Sequence, residues 1–163
     1  FAIDYPDHMD KLVLMGPAGM GRSYFSPLPL EGIKVLMDVF ANPTKEGFRH
    51  LLELFVYDSS FLTDELLEQR LRATLDHPEH LEARKKSTPG LPDISEDIHK
   101  IQAETLIIWG RDDVFSPLDH VFKMMWHIAN ARVHIFSQCG HWAQYEKADE
   151  FNNLVSKFFG YQG

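Results

Sequence analysis

The sequence predicts an α/β fold, a parallel sheet interrupted by an inserted helical cap. Three observations carry this. Short apolar runs at Lys11–Met15, Thr105–Trp109 and Arg132–Phe136 each end at a glycine or a polar turn. The first two are nearly continuous in apolar character, as parallel strands covered on both faces require. Helix-period segments follow the second and third runs, giving the order β-α-β-α of a parallel sheet with crossover helices. The long stretch between the first and second runs instead reads as consecutive helices.

Taken in order, "FAIDYP" reads as the tail of a helix, with a turn at Tyr5-Pro6-Asp7 leading into the first strand. An opening in mid-helix creates the expectation that these residues are the C-terminal part of a longer protein. Glu31–Ala41 has helical period. Asn42-Pro43 then predicts a cap followed by proline at the first helical position. The helix after it runs to about Tyr57, with Phe48, Leu51, Leu52 and Phe55 on one stripe. Thr63 is positioned to cap a third helix carrying Leu66, Leu67, Leu71 and Leu75, and Asp76-His77-Pro78 opens a fourth that ends in "ARKK". Ser87–Asp93, "STPGLPD", has the composition of a linker. Leu118–Ala129 and Lys147–Phe159 complete the helices. The expected division is a sheet core of residues 1–22 and 89–163, and a helical lid of residues 23–88. Helical covers over sheets commonly close active sites.

Composition narrows the function. The 163 residues suffice for one domain with a real core. A formal net charge of −8 argues against nucleic acid or anionic lipid as a partner. No apolar run approaches the roughly 20 residues of a membrane span. The single cysteine, Cys139, excludes an internal disulfide and suits a reducing cytoplasm. CxxC, HExxH and phosphate-loop patterns do not occur, which argues against metal and nucleotide chemistry.

Two turns carry candidate chemistry. "WGRDDVFSP" places Asp112 and Asp113 after the second strand, and "FSQCGHWAQYEKADEF" places His141 after the third. Sheets of this layout hold ligands at the C-terminal ends of their strands. A carboxylate there can accept the imidazole N–H, set the tautomer and stabilise the imidazolium that forms. The bland alternative is an aspartate capping the next helix and a histidine ordering a turn. From the residues alone either aspartate can be the partner. Gly-x-Ser-x-Gly, the turn that exposes a nucleophilic serine, is absent from the sequence. Cys139 stands two residues before His141, too close along the chain to align for attack, and reads as a small buried apolar group.

Four segments in order, "KLVLMGPAGMGRSYFSPLPLEGIK", "LTDELLEQR", "WGRDDVFSPLDH" and "CGHWAQYEKADEFN", resemble the meta-cleavage product hydrolases. These are α/β-hydrolases with a helical lid that act in bacterial degradation of aromatic rings, and the likeness is nearest the biphenyl-pathway members. The resemblance implies that Asp113 is the triad acid, lying three residues after the strand-end Gly110, and that His141 is the base. It implies that Arg70 binds a substrate carboxylate and that Trp142 contacts the same end. It places Ile33, Leu36, Leu51, Phe55, Phe115 and Ser116 along an apolar pocket, although plain core packing also explains the helical ones. Ser116 departs from the valine usual there, so a slightly more polar pocket is expected. The lid's return, "EARKKSTPGLPD", is shorter than the family's.

The implied reaction is hydrolysis of a carbon–carbon bond in a 2-hydroxy-6-oxo-hexa-2,4-dienoate. The products are 2-hydroxypenta-2,4-dienoate and a carboxylic acid. The partner is then a small anionic dienoate, with no nucleic acid, no membrane, no metal and no organic cofactor. Cytoplasmic location and homo-oligomeric assembly are implied as well. The nucleophile falls outside these residues, so the 163 residues alone are expected to be inactive. Two other readings stay open: a lidded carboxylesterase-like hydrolase, and a non-catalytic α/β-hydrolase binding module.

Overall fold

The structure, a computed structural model, describes residues 1–86 and 92–161. Three strands form one parallel sheet in the order β1 (Lys11–Met15), β2 (Glu104–Gly110) and β3 (Ala131–Phe136). Leu12 pairs with Thr105 and Met15 with Ile108. Ile107 pairs with Val133 and Gly110 with Phe136. All three strand ends therefore point to one edge.

The alternation along β2 explains why this strand is apolar throughout. Ile107 and Trp109 face one side, where they pack with Val121, Met124 and Ile128, and with Ile98 and Ile101 before the strand. Leu106 and Ile108 face the other side, against Phe136, Cys139, Ala143 and Phe158. The first layer comes mainly from α5 (His120–His127), the second from α6 (Ala143–Glu146) and α7 (Ala148–Phe159). Complete burial of a large side chain such as Ile107 or Trp109 contributes about 1.5–3 kcal/mol each.

Between β1 and β2 lie α1 (Glu31–Ala41), α2 (Lys45–Phe55), α3 (Asp64–Leu75) and α4 (Pro78–Lys86). Their shared core is Val39, Phe48, Leu51, Leu52 and Leu67, closed underneath by Phe115 from the β2 turn. Two boundaries differ from the sequence reading. Asn42 does not cap α2. Its N–H bonds back to the Asp38 carbonyl and ends α1. Thr44 caps α2 instead, its side chain accepting from the Gly47 N–H at 3.0 Å. The helix also stops at Phe55 rather than near Tyr57, because the Phe55 carbonyl is engaged by the Trp142 N–H and the N–H groups of Tyr57 and Asp58 by the Glu146 carboxylate of α6. Thr63 caps α3 as expected, accepting from the Leu66 N–H at 3.1 Å. Of the α3 leucines, Leu67 is buried and Leu75, in the last turn, remains 46% exposed. The linker assigned to Ser87–Asp93 falls outside the described residues over 87–91, as does the expected lid-to-core boundary at 88–89.

After β2, one helix is shorter than its period suggests and one is additional. α5 begins at His120, after a turn in which the His120 N–H bonds to the Pro117 carbonyl at 3.1 Å. α6 is a separate short helix that the reading of Lys147–Phe159 did not include. Among the described residues no helix is long and apolar enough to cross a membrane.

His120 gives the fold a pH dependence. It is only 5% exposed, and neither ring nitrogen meets a hydrogen-bond partner of good geometry among the described residues. Burial pushes its imidazole below the ordinary 6.5. Asp119, Asp93 and the Arg22 backbone oppose that shift, and Lys123 adds to it. Unfolding at mildly acidic pH therefore takes up a proton. The stabilisation from the neutral ring is complete above the unfolded-state value of 6.5 and is lost as pH falls toward the lower folded value. Thermal unfolding between about pH 7.5 and 5 is expected to show a falling Tm, and His120→Leu should flatten that slope. An equally steep slope in the variant would count against it.

Candidate active site

The turn after β2 positions the acid. The Arg111 N–H bonds to the Phe136 carbonyl and the Asp112 N–H to the Cys139 carbonyl, both at 2.9 Å, so this turn is stitched to the exit of β3. Gly110 makes the approach feasible. A Cβ there would sit 1.9 Å from the Gly140 carbonyl oxygen and 2.5 Å from that of Cys139. The stitching leaves the two aspartates in different surroundings. Asp112, part exposed, pairs with the Arg111 guanidinium at 3.2 Å and accepts the Cys139 N–H at 3.3 Å. Asp113 turns inward, its side chain 1% exposed.

Asp113 is fully engaged. Its Oδ1 accepts the N–H groups of Phe115 at 2.7 Å and Ser116 at 3.0 Å. Its Oδ2 lies 2.8 Å from His141 Nδ1. A carboxylate can only accept, so Nδ1 carries the proton and Nε2 is the nitrogen able to take one. That is the arrangement of a general base with its orienting acid. Gly16, at the end of β1, completes the setting. It adopts a φ of +48°, and a Cβ on it would lie 2.9 Å from the His141 ring and 3.4 Å from Asp113 Oδ2. The capping role weighed for the aspartates is also real: Asp113 caps its own turn while holding the histidine.

Aromatic rings surround the imidazole. Phe55 of α2 stacks on Phe115 at 4.0 Å and on Trp142 at 4.7 Å between centroids. Phe115 and Phe55 lie 5.2 and 5.7 Å from the His141 ring. The Arg70 guanidinium of α3 sits over the Trp142 ring at 5.6 Å, within the range of a cation–π contact. Ile33, Leu36, Leu51, Phe55, Phe115 and Trp142 all belong to, or pack on, one apolar cluster. Ser116 is placed differently. It is buried, and its hydroxyl donates to the Gly16 carbonyl at 2.9 Å. The hydroxyl is thus engaged in holding two strand ends together, and the more polar pocket expected from it does not follow.

Cys139 is fully buried, and burial pushes its thiol up to about 12, with the Glu146 charge adding to the effect. It is a packing group rather than a nucleophile. Among the described residues no group of three or more His, Cys, Asp or Glu side chains is arranged to hold a metal ion. Two contributors to the site escaped the sequence reading. One is Gly16, where a glycine followed by proline looks like an ordinary turn. The other is Glu146, whose only sequence signal is its position five residues after His141.

A family model described as alpha/beta hydrolase fold matches residues 1–148. The chain is 49% identical over 162 residues to a 2-hydroxy-6-oxo-6-phenylhexa-2,4-dienoate hydrolase of Comamonas testosteroni, covering 97% of this chain and 57% of that protein. It is 43% identical to a 2-hydroxy-6-oxononadienedioate/2-hydroxy-6-oxononatrienedioate hydrolase of the same organism, with the same coverage. Among solved structures, a meta-cleavage product hydrolase from Pseudomonas fluorescens superposes with a TM-score of 0.82 at 36% identity. That match covers 97% of this chain and 58% of the other. The chain thus spans a little over half the length of the relatives it matches.

Proposed function

The chain belongs to the alpha/beta hydrolase fold family, and from that premise we propose that it supplies the acid, base and lid of a carbon–carbon bond hydrolase. The substrate class is a 2-hydroxy-6-oxo-hexa-2,4-dienoate formed by aromatic ring fission. The observation that carries this reading is the 2.8 Å contact between His141 Nδ1 and Asp113 Oδ2 at adjacent strand ends, with the Arg70 cation held over neighbouring Trp142. An acid–base pair alone suits any ester hydrolase. A guanidinium over the same site favours an anionic substrate, since it presents a planar fork to a carboxylate.

In the proposed reaction the dienol first shifts to its keto tautomer, which provides an electron sink. A serine on a nucleophile turn, supplied by the whole protein, attacks the 6-oxo carbon while His141 Nε2 takes its proton. The bond between C5 and C6 then breaks. Its electron pair enters the conjugated system as a dienolate, and the proton that His141 Nε2 took from the serine is delivered there, which releases 2-hydroxypenta-2,4-dienoate and returns the imidazole to its neutral form. Water, deprotonated by His141, hydrolyses the acyl-enzyme and frees the carboxylic acid. Asp113 stays ionised and stabilises the imidazolium in both halves. Residues 23–88 act as the lid, with Ile33, Leu36, Leu51, Phe55 and Phe115 excluding water around the non-carboxylate group. A cytoplasmic setting and homo-oligomeric assembly belong to the same reading.

The test uses the full-length protein and the 6-phenyl dienoate, following loss of its yellow colour. Turnover is expected. Arg70→Ala is expected to lower kcat/KM for the dienoate about 10- to 100-fold, the scale of a charge-assisted contact, and to leave hydrolysis of a neutral ester within about threefold. Equal losses on both substrates, or no dienoate turnover, would sink the proposal.

A further inference from the structure

The structure assigns Glu146 a role as the positioning residue that couples the inserted helices to His141. Its carboxylate lies at the end of α6, and its two oxygens serve segments far apart in sequence. Oε1 accepts the N–H of Gly140, the residue immediately before His141, at 2.6 Å. Oε2 accepts the Tyr57 N–H at 2.7 Å and, at 3.4 Å, that of Asp58, where the chain leaves α2. Among the described residues no lysine or arginine pairs with it, so its charge is directed at backbone. The N–H of Trp142, on the other side of His141, bonds to the Phe55 carbonyl at 3.1 Å. His141 is therefore flanked by two residues, Gly140 and Trp142, whose N–H groups are tied to residues 55–58, the first through the Glu146 carboxylate and the second directly.

Contact between these segments is close enough to transmit small displacements. A Cβ on Gly140 would lie 2.7 Å from the Phe55 carbonyl oxygen and 2.9 Å from Val56 Cα, so the backbones touch. A base must be held within about 0.5 Å of its productive position. Here the inserted helices, through one carboxylate, help set the backbone that carries the base. A glutamate serving only its own turn would not need the bonds to Tyr57 and Asp58. The inference rests on the reading of His141 as the general base, and it extends that reading to how the base is aligned.

The experiment compares Glu146→Ala, Glu146→Gln and Thr63→Ala in the full-length protein. Kinetics with the 6-phenyl dienoate give kcat and KM, and ring ¹⁵N shifts give the fraction of His141 in the Nδ1–H tautomer. Glu146→Ala is expected to lower kcat about 30-fold or more with KM within about threefold, the pattern of a misaligned catalytic group. The Nε2–H tautomer should appear in the same variant. Glu146→Gln keeps one acceptor and should fall between the two. Thr63→Ala loosens α3 by removing its cap but should leave both readouts unchanged. An Nδ1–H tautomer and a kcat within twofold of the parent in Glu146→Ala would overturn the role. If that variant does not fold, the same result in Glu146→Gln would do so. Equal effects from Thr63→Ala would also overturn it, since any loosening of the helices would then suffice. A parent protein without dienoate turnover would remove the proposed function, while the tautomer measurement would still decide this inference.

Discussion

Replacing Asp113 by asparagine is expected to lower kcat of the full-length protein about 10³- to 10⁴-fold while leaving it folded, following the pattern of triad aspartates. The reason lies in how the two carboxylate oxygens are used. Oδ1 accepts two backbone N–H groups, from Phe115 and Ser116. An asparagine can keep these by placing its carbonyl oxygen there. Its NH₂ must then face His141 Nδ1, which Oδ2 contacts in the native protein. An amide donor at that point forces Nδ1 to accept, so the ring proton moves to Nε2 and the base is lost. The measurement is kcat of Asp113→Asn beside its thermal unfolding. Asp112→Asn is the control, because Asp112 pairs with the Arg111 guanidinium instead. Comparable kcat losses in the two variants would show that the acid had been assigned to the wrong aspartate.

The largest effect on stability is expected from Gly110→Ala, a loss of about 3 kcal/mol or more. Gly110 carries no positive φ, so the cost is not conformational. It comes from proximity. The added Cβ would meet the Gly140 carbonyl oxygen at 1.9 Å and the Cys139 carbonyl oxygen at 2.5 Å. Both are backbone atoms in a loop already bonded to residues 111 and 112, so neither can swing aside as a flexible side chain would. Overpacking of side chains typically costs 1–3 kcal/mol, and a backbone clash at a strand junction belongs at or above the top of that range. Urea unfolding of the variant reads the loss directly. Gly160→Ala provides the contrast, because nothing lies within 4 Å of its Cβ and only its φ of +86° must be paid for. Its expected cost is about 1 kcal/mol. A Gly110→Ala no worse than Gly160→Ala would show that the two turns separate easily.

Much of the fold was legible in the sequence because apolar period reports burial directly. β1 begins and ends where its apolar run does, and β2 and β3 exceed theirs by only a residue or two. The continuous apolar run of β2 correctly signalled a strand covered on both faces. The less accurate boundaries were those set by contacts with distant residues. α2 ends at Phe55 because the Phe55 carbonyl is taken by Trp142 in the loop after β3 and the N–H groups of Tyr57 and Asp58 by Glu146 of α6. No local signal near Tyr57 carries that information.

The same division applies to the site. Residue type and chain order determined that a carboxylate and an imidazole sit on successive strand-end turns, since strand, turn and crossover helix are local patterns read along the chain. They did not by themselves distinguish Asp112 from Asp113. Only the tertiary structure separated them, by stitching two turns together so that one aspartate lies against Arg111 and the Cys139 N–H while the next points at His141. It alone engaged the Ser116 hydroxyl with Gly16, and it alone brought Glu146 to the segment that leaves α2. Hydrophobic period and turn chemistry depend on neighbours a few residues away, whereas side-chain direction within a turn depends on which distant backbone the turn is bonded to.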